Sequence, residues 1–361
     1  MSHTQLSADA RRTQGVVMIL LTLAGWTSIP LFLRDFAHGP FAIDAWTANG
    51  WRYGVSALLW APVLVLGLWR RDLPKGIWRA ALVPSIFNTI AQVAFAIAPY
   101  MVKPGLMTFS MRLQIIFLTV GAALLFPAER RVIRTGGYLS GMAMVMIGTA
   151  ATLMFQDGGL GGGTAAGVAI SIAAGLFYAF YGLSVRKSMQ EYHPFTAFAV
   201  VSQYTAAAIV VLMVVLGDRH GMTVLDLPGT RQFLLVLSAV IGIGLGHTLY
   251  FASISRLGLA VAAGVVQLQP ITVSIGSMLL FDERLNALQW IGGTIAIAGA
   301  VIMLLAQHRL KPVVEAEKTT PQTDAVLCGF CGCDLTGVGA GHPCPECGRV
   351  HGPAEHAQAG A

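Results

Sequence analysis

The chain has 361 residues, 55% of them hydrophobic and only 11% charged, with a formal net charge of +6 and a mean hydropathy of +0.68. A soluble domain needs a charged skin, and this little charge excludes one for most of the chain, whose solvent is instead the lipid bilayer. The basic residues fall in short clusters between apolar runs (Arg11/Arg12, Arg70/Arg71, Arg130/Arg131, Arg186/Lys187) rather than in one patch, so nucleic acid is not an expected partner.

Residues 1–15 read as a polar cytoplasmic tail containing Arg11-Arg12. The pair suggests a twin-arginine signal, but the apolar run behind it is too long for a signal core and lacks a small-x-small cleavage site. It reads as a first anchor helix. A spanning helix needs about 20 apolar residues, and ten runs qualify: 16–34, 46–69, 80–101, 105–126, 137–154, 164–185, 195–216, 232–254, 258–281 and 288–306. Most connections are short, and no strand alternation interrupts the runs, so an all-α polytopic membrane protein is expected. With the N-terminus inside, the outside loops hold only Arg34, Lys103, Arg219, Arg231 and Arg284 of the 23 Lys and Arg. The positive-inside rule then places both termini in the cytoplasm, with the chain in the inner (cell) membrane.

The segments "LQIIFLTVGAALLFPAER" (113–130) and "LQPITVSIGSMLLFDER" (268–284) look like copies. Leu113/Leu268, Gln114/Gln269, Gly121/Gly276, Leu124/Leu279, Leu125/Leu280 and Phe126/Phe281 share an offset of 155, and Glu129/Glu283 and Arg130/Arg284 follow at 154. By the same offset Gln92 meets His247, Phe95 meets Tyr250, and Arg112 meets Gln267. The repeat divides the ten spans into 16–154 (spans 1–5) and 164–306 (spans 6–10). Five is odd, so the second copy crosses in the opposite sense, and inverted repeats are expected. The Gly-rich stretch 155–163 between them has no strand before it and reads as a linker, not a phosphate loop.

The stretch "LQPITVSIGSMLLFDERLNALQWIGGTIAIAGAVIML", with Pro270 and helix-end Glu283, resembles the EamA family of the drug/metabolite transporter superfamily. Trp26 in the first span, Arg52 in the second and ten spans in two repeats extend the resemblance over about residues 16–306. It implies secondary transport, commonly export of amino acids or other small metabolites. One departure is Ile115, which stands where a first repeat often carries the proline that Pro270 supplies in the second.

Each ionisable side chain at membrane depth costs a few kcal/mol by insertion scales and is a functional candidate. Arg52 and Arg112 both lie about two turns from the outer face. Arg112, beside Ser110 and Gln114, suits a carboxylate or phosphate on a solute, and snorkelling to the headgroups is the alternative. For Arg52 a structural role is expected, capping or pairing inside the fold. His247, with Tyr250 one turn on, is either a titrating group or a neutral histidine bonded to a neighbouring helix. Gln92 and Gln267 line a cavity or glue helices, as do Asn88 and Gln269. Trp26 and Tyr178, with Tyr181 and Tyr204, stack on a solute or simply pack. No Asp or Glu falls at the centre of a span, so a carboxylate proton relay is not expected. No nucleophile–base pair, metalloprotease motif or nucleotide loop points to an enzyme.

Residues 307–327 are a polar linker and 350–361 a flexible tail. Between them, 328–349 contains all five cysteines. Cys328-x2-Cys331 and Cys344-x2-Cys347 are two knuckles, each followed by glycine, which together offer four thiolates to a structural Zn2+. The module resembles a rubredoxin-like zinc ribbon. Disulfides are the competing reading, which a cytoplasmic location disfavours. Cys333 is surplus, and a cytosolic protein partner for the ribbon stays open. The leading expectation is an inner-membrane secondary carrier of small organic solutes. The rival is a membrane-anchored zinc-ribbon adaptor or sensor that binds a ligand without moving it. Solute, coupling ion and oligomeric state are not legible.

Overall fold

A computed structural model describes residues 8–70, 73–126, 130–155, 163–189, 191–257 and 259–319. The ribbon cysteines and Glu129 lie outside the described residues. Met1–Gln307 forms one compact unit, and His308–Ala361 a second, of which 308–319 continue a helix.

Among the described residues all regular structure is helical. Ten helices are long and apolar enough to span a bilayer: Thr13–His38, Ala45–Trp69, Ile77–Met101, Pro104–Leu125, Gly136–Met154, Thr164–Ser188, Phe195–Leu216, Gly229–Tyr250, Gly264–Phe281 and Ala287–Ala306. They are numbered here as spans 1 to 10. Their surface is inverted relative to a soluble protein. Leu58 and Leu279 are 75% exposed, whereas Thr22, Ser56 and Ser171 are fully buried. That pattern suits a hydrocarbon solvent, because lipid offers no hydrogen bonds to a polar group.

Span 1 runs past its expected end at residue 34. Its last turn holds Arg34 and Asp35, which remain helical because both charges find partners, in Glu283 and Arg231. Span 2 begins where Asp44 accepts the Thr47 amide at 2.9 Å, a side-chain cap on an otherwise orphaned N–H.

Three spans depart from regular α-helix. Span 4 is Pro104–Ser110, then a tight turn at Met111–Leu113, then Gln114–Leu125. Span 9 breaks at Gln267–Leu268 and resumes at Gln269–Phe281. Arg112 sits in the first break and Gln267 in the second, so the interruptions fall at positions matched by the 155-residue offset. Span 8 is wound wider at Val240–Leu245, between Gly229–Ala239 and Gly246–Leu257, a local π turn.

The packing follows a pattern. Spans 2 and 7 meet antiparallel, with Gly50 against Met213, the Gln203 amide donating to Ala57 O at 3.0 Å, and Trp60 edge-on to Phe198. Spans 4 and 9 meet antiparallel, with Gly105 against Ser274 and Arg112 against Gln267. Spans 5 and 10 do the same through glycines: a Cβ on Gly141 would stand 2.6 Å from Gly299 O, and Gly148 faces Gly292. Only residues without side chains permit that approach. Span 3 packs on span 6 as span 8 packs on span 1.

Candidate functional site

The two helix breaks face each other. Arg112 Nη1 donates to Gln267 Oε1 at 2.9 Å and Nη2 to Gln269 Oε1 at 3.2 Å, while Nε lies 3.4 Å from Thr108 O. The Gln269 amide in turn donates to Trp26 O at 2.9 Å, and the Trp26 indole N–H donates to Gly242 O at 3.2 Å. The wide turn in span 8 leaves such carbonyls open to side chains. Trp26 also meets His247 at 5.3 Å and Tyr250 at 5.1 Å between ring centroids. His247 stacks on Phe198 at 4.4 Å, and its Nδ1 lies 3.2 Å from Ile243 O. Trp26, Arg112, His247, Tyr250 and Gln267, chosen from sequence, therefore form one connected cluster, with Gln269 as the link.

Gln92 and Tyr178 belong elsewhere. They adjoin each other across spans 3 and 6, beside Arg52. Tyr178 packs edge-on to Phe95 at 6.3 Å, and Asn49 donates to Gln92 O at 3.3 Å. Asn88 does not line the site; its amide donates to Thr205 Oγ1 at 2.9 Å, and both are buried, so it joins spans 3 and 7. Tyr204 packs against Trp78. Arg112, Tyr178, Tyr181 and His247 are half-buried.

The pairing expected of Arg52 is not found. Its side chain is 2% exposed, its Nε is without a hydrogen-bond partner, and no carboxylate among the described residues pairs with it. Sequence reasoning gave it a structural role because nothing in the order of residues reveals whether a counter-charge arrives.

At one end of the bundle, charges close the ring. Arg34 grips Glu283 through Nε at 2.8 Å and Nη2 at 2.5 Å and donates to Pro99 O at 2.9 Å. Ser277 donates to the other Glu283 oxygen at 2.7 Å. Arg231 pairs with Asp35. Spans 1, 3, 8 and 9 are thereby tied together at that end.

Ten helices long and apolar enough to span a bilayer define the class: a multi-pass membrane protein. The sequence profile of the EamA-like transporter family matches residues 165–305. An uncharacterized transporter from Archaeoglobus fulgidus is 25% identical over 163 residues, which is 45% of this chain and 54% of that protein. The chain thus spans about half the length of that relative. One crystal structure matches with a TM-score of 0.54 at 14% identity, over 83% of this chain and 99% of the other. That likeness is one of fold.

Proposed function

We propose that the protein is an inner-membrane secondary carrier, an exporter or exchanger of small organic metabolites such as amino acids, with both termini cytoplasmic. It belongs, in this reading, to the EamA-like transporters, and works by alternating access of two inverted five-span repeats. The observation that carries the reading is the meeting of the two breaks at Arg112 and Gln267. Interrupted helices at matching places in two halves are how carriers expose polar groups at mid-membrane. The antiparallel meetings 2 with 7, 4 with 9 and 5 with 10 support it, because a two-fold axis in the membrane plane turns each such pair into itself. With both termini inside, the ion pairs of Arg34 and Asp35 fall at the outer end, and in this reading they hold that end closed.

Disulfide trapping tests this reading. Thr27 and Thr272 join spans 1 and 9 through hydroxyls 2.5 Å apart, and spans 1–10 contain no cysteine. Thr27→Cys/Thr272→Cys protein in proteoliposomes should lose counterflow on oxidation and regain it on reduction. Full counterflow in the oxidised protein would exclude movement between these spans. Absence of flux in the unmodified protein, for every metabolite tried, would favour the adaptor. The ribbon at 328–349 is proposed to hold Zn2+ through Cys328, Cys331, Cys344 and Cys347, a closed set of four thiolates suited to a structural ion.

A further inference from the structure

Arg52 presents an unusual problem. A guanidinium has five N–H donors and cannot lose its charge in a protein. Arg112 spends its donors on two glutamines and a carbonyl. Arg52 has no such acceptor: its Nε is buried and unpartnered, and the titratable groups that feel its charge are the phenols of Tyr53, Tyr178 and Tyr100. A buried unpaired cation is strongly unfavourable, and proteins retain one where something supplies the opposite charge.

The neighbourhood of Arg52 repeats the same deficit. One turn along span 2, Ser56 Oγ is buried without a partner, and one turn further Trp60 Nε1 is as well. Residues 52, 56 and 60 share one face of the helix, over about 12 Å of its axis. Ser202, on the facing span 7, adds a fourth unpartnered group, its hydroxyl. Each of these groups is a donor. The Arg52 end of the column adjoins Gly242 in the wide turn of span 8, where a Cβ would stand 3.7 Å from Nη2. Half-buried Tyr178 and Gln92 border it.

We infer that Arg52 is the anion anchor of the solute site: it takes the carboxylate of an organic solute, with Ser56 as a second donor and Tyr178 and Gln92 beside the solute body. The inference rests on the carrier reading above and names the solute class. A planar guanidinium matches a carboxylate in two parallel hydrogen bonds, which an amine or a neutral solute cannot provide.

The test uses full-length protein in detergent and in proteoliposomes, with amino acids, their decarboxylated amines and simple organic carboxylates as probes. Thermal stabilisation by carboxylates and not by the matching amines is expected. It should disappear in Arg52→Gln, fall about tenfold in affinity in Arg52→Lys, and persist in Arg284→Gln, at an exposed arginine just past span 9. Arg52→Met without solute should melt no lower than the parent, because it removes an unpaired charge; a structural arginine would instead leave a destabilised variant. Equal stabilisation by amines, or undiminished carboxylate binding by Arg52→Gln, would overturn the inference. Counterflow of neutral or cationic solutes indifferent to Arg52→Gln would overturn it while sustaining the carrier. Carboxylate binding lost in Arg52→Gln but never accompanied by flux would sustain the site and overturn the carrier.

Discussion

Two arginines stand at about the same depth, on spans 2 and 4, and the fold treats them oppositely. Arg112 is held by side chains from the other half of the chain, Gln267 and Gln269. Arg52 is held by none and heads a column of unpartnered donors. The difference shows that charge and depth do not by themselves distinguish a binding residue from a structural one. What distinguishes them is whether the protein supplies the acceptors. By that criterion Arg112 is part of the joint between the breaks, and Arg52 is the one we infer to take a ligand.

The largest effect should come from cutting the joint. Arg112→Met leaves the carbonyl oxygens of half-buried Gln267 and Gln269 without their donor, and an acceptor left unmet costs up to about 1–3 kcal/mol. A destabilisation of about 2–4 kcal/mol is expected by that reckoning, read as a clear fall in melting temperature. Arg52→Met should show no such fall. If the two variants melted alike, the contrast between the arginines would be lost.

Tightening the same joint is the complementary experiment. Gln267→Glu would set a carboxylate where Arg112 Nη1 already finds an acceptor at 2.9 Å. A charge-assisted pair is stronger than the neutral bond it replaces. The variant should melt higher and exchange solute about tenfold more slowly, equivalent to about 1.4 kcal/mol on the barrier. Unchanged flux would mean that the breaks need not separate during the cycle.

Much of this was legible in the sequence. The ten apolar runs follow from length and hydropathy, and the 155-residue offset pairs Arg112 with Gln267 before any coordinates. The cluster around Trp26, His247 and Tyr250 was foreseen as a set of candidates, though the Gln269 link between Trp26 and Arg112 was not. That Arg52 would lack a pairing partner was not legible, for a physical reason: a missing counter-charge is a property of what packs around a helix, not of the helix. The spacing Arg52-x3-Ser56-x3-Trp60 was visible, but only burial of that face turns three ordinary polar residues into a column of unmet donors. The wide turn at Val240–Leu245 left only a hint, the alternating glycines of "GIGLG".

A smaller effect is expected at the closed end. The Arg34–Glu283 pair is partly buried, with side chains 18% and 12% exposed, and such pairs contribute about 1–2 kcal/mol when the geometry is good. On the carrier reading, Glu283→Gln should favour an outward-open form by about that amount. A membrane-impermeant thiol reagent added from outside should then label Tyr178→Cys several-fold faster. Because Tyr178 borders Arg52, the same opening should speed the loss of bound carboxylate. Slower labelling in Glu283→Gln would show that the pair does not hold this end shut.

The smallest effect should follow removal of residues 310–361, and it bounds the comparison from outside. Both arginines, both helix breaks and the ion pairs of the closed end lie within residues 1–307, which form a compact unit by themselves. The shortened protein should therefore melt within about 0.5 kcal/mol of the parent, the range of a remote surface change. It should keep its carboxylate selectivity and its counterflow. What it should lose is zinc: the full chain is expected to carry one ion, measured by atomic absorption, and the shortened chain none. The pair of readouts separates two roles for the tail. If flux fell together with the zinc, the ribbon would be part of the transport cycle, and the adaptor reading would gain at the expense of the carrier. If zinc left and flux stayed, solute recognition would be confined to the bundle, where the unpaired charge of Arg52 is the strongest feature left to account for it.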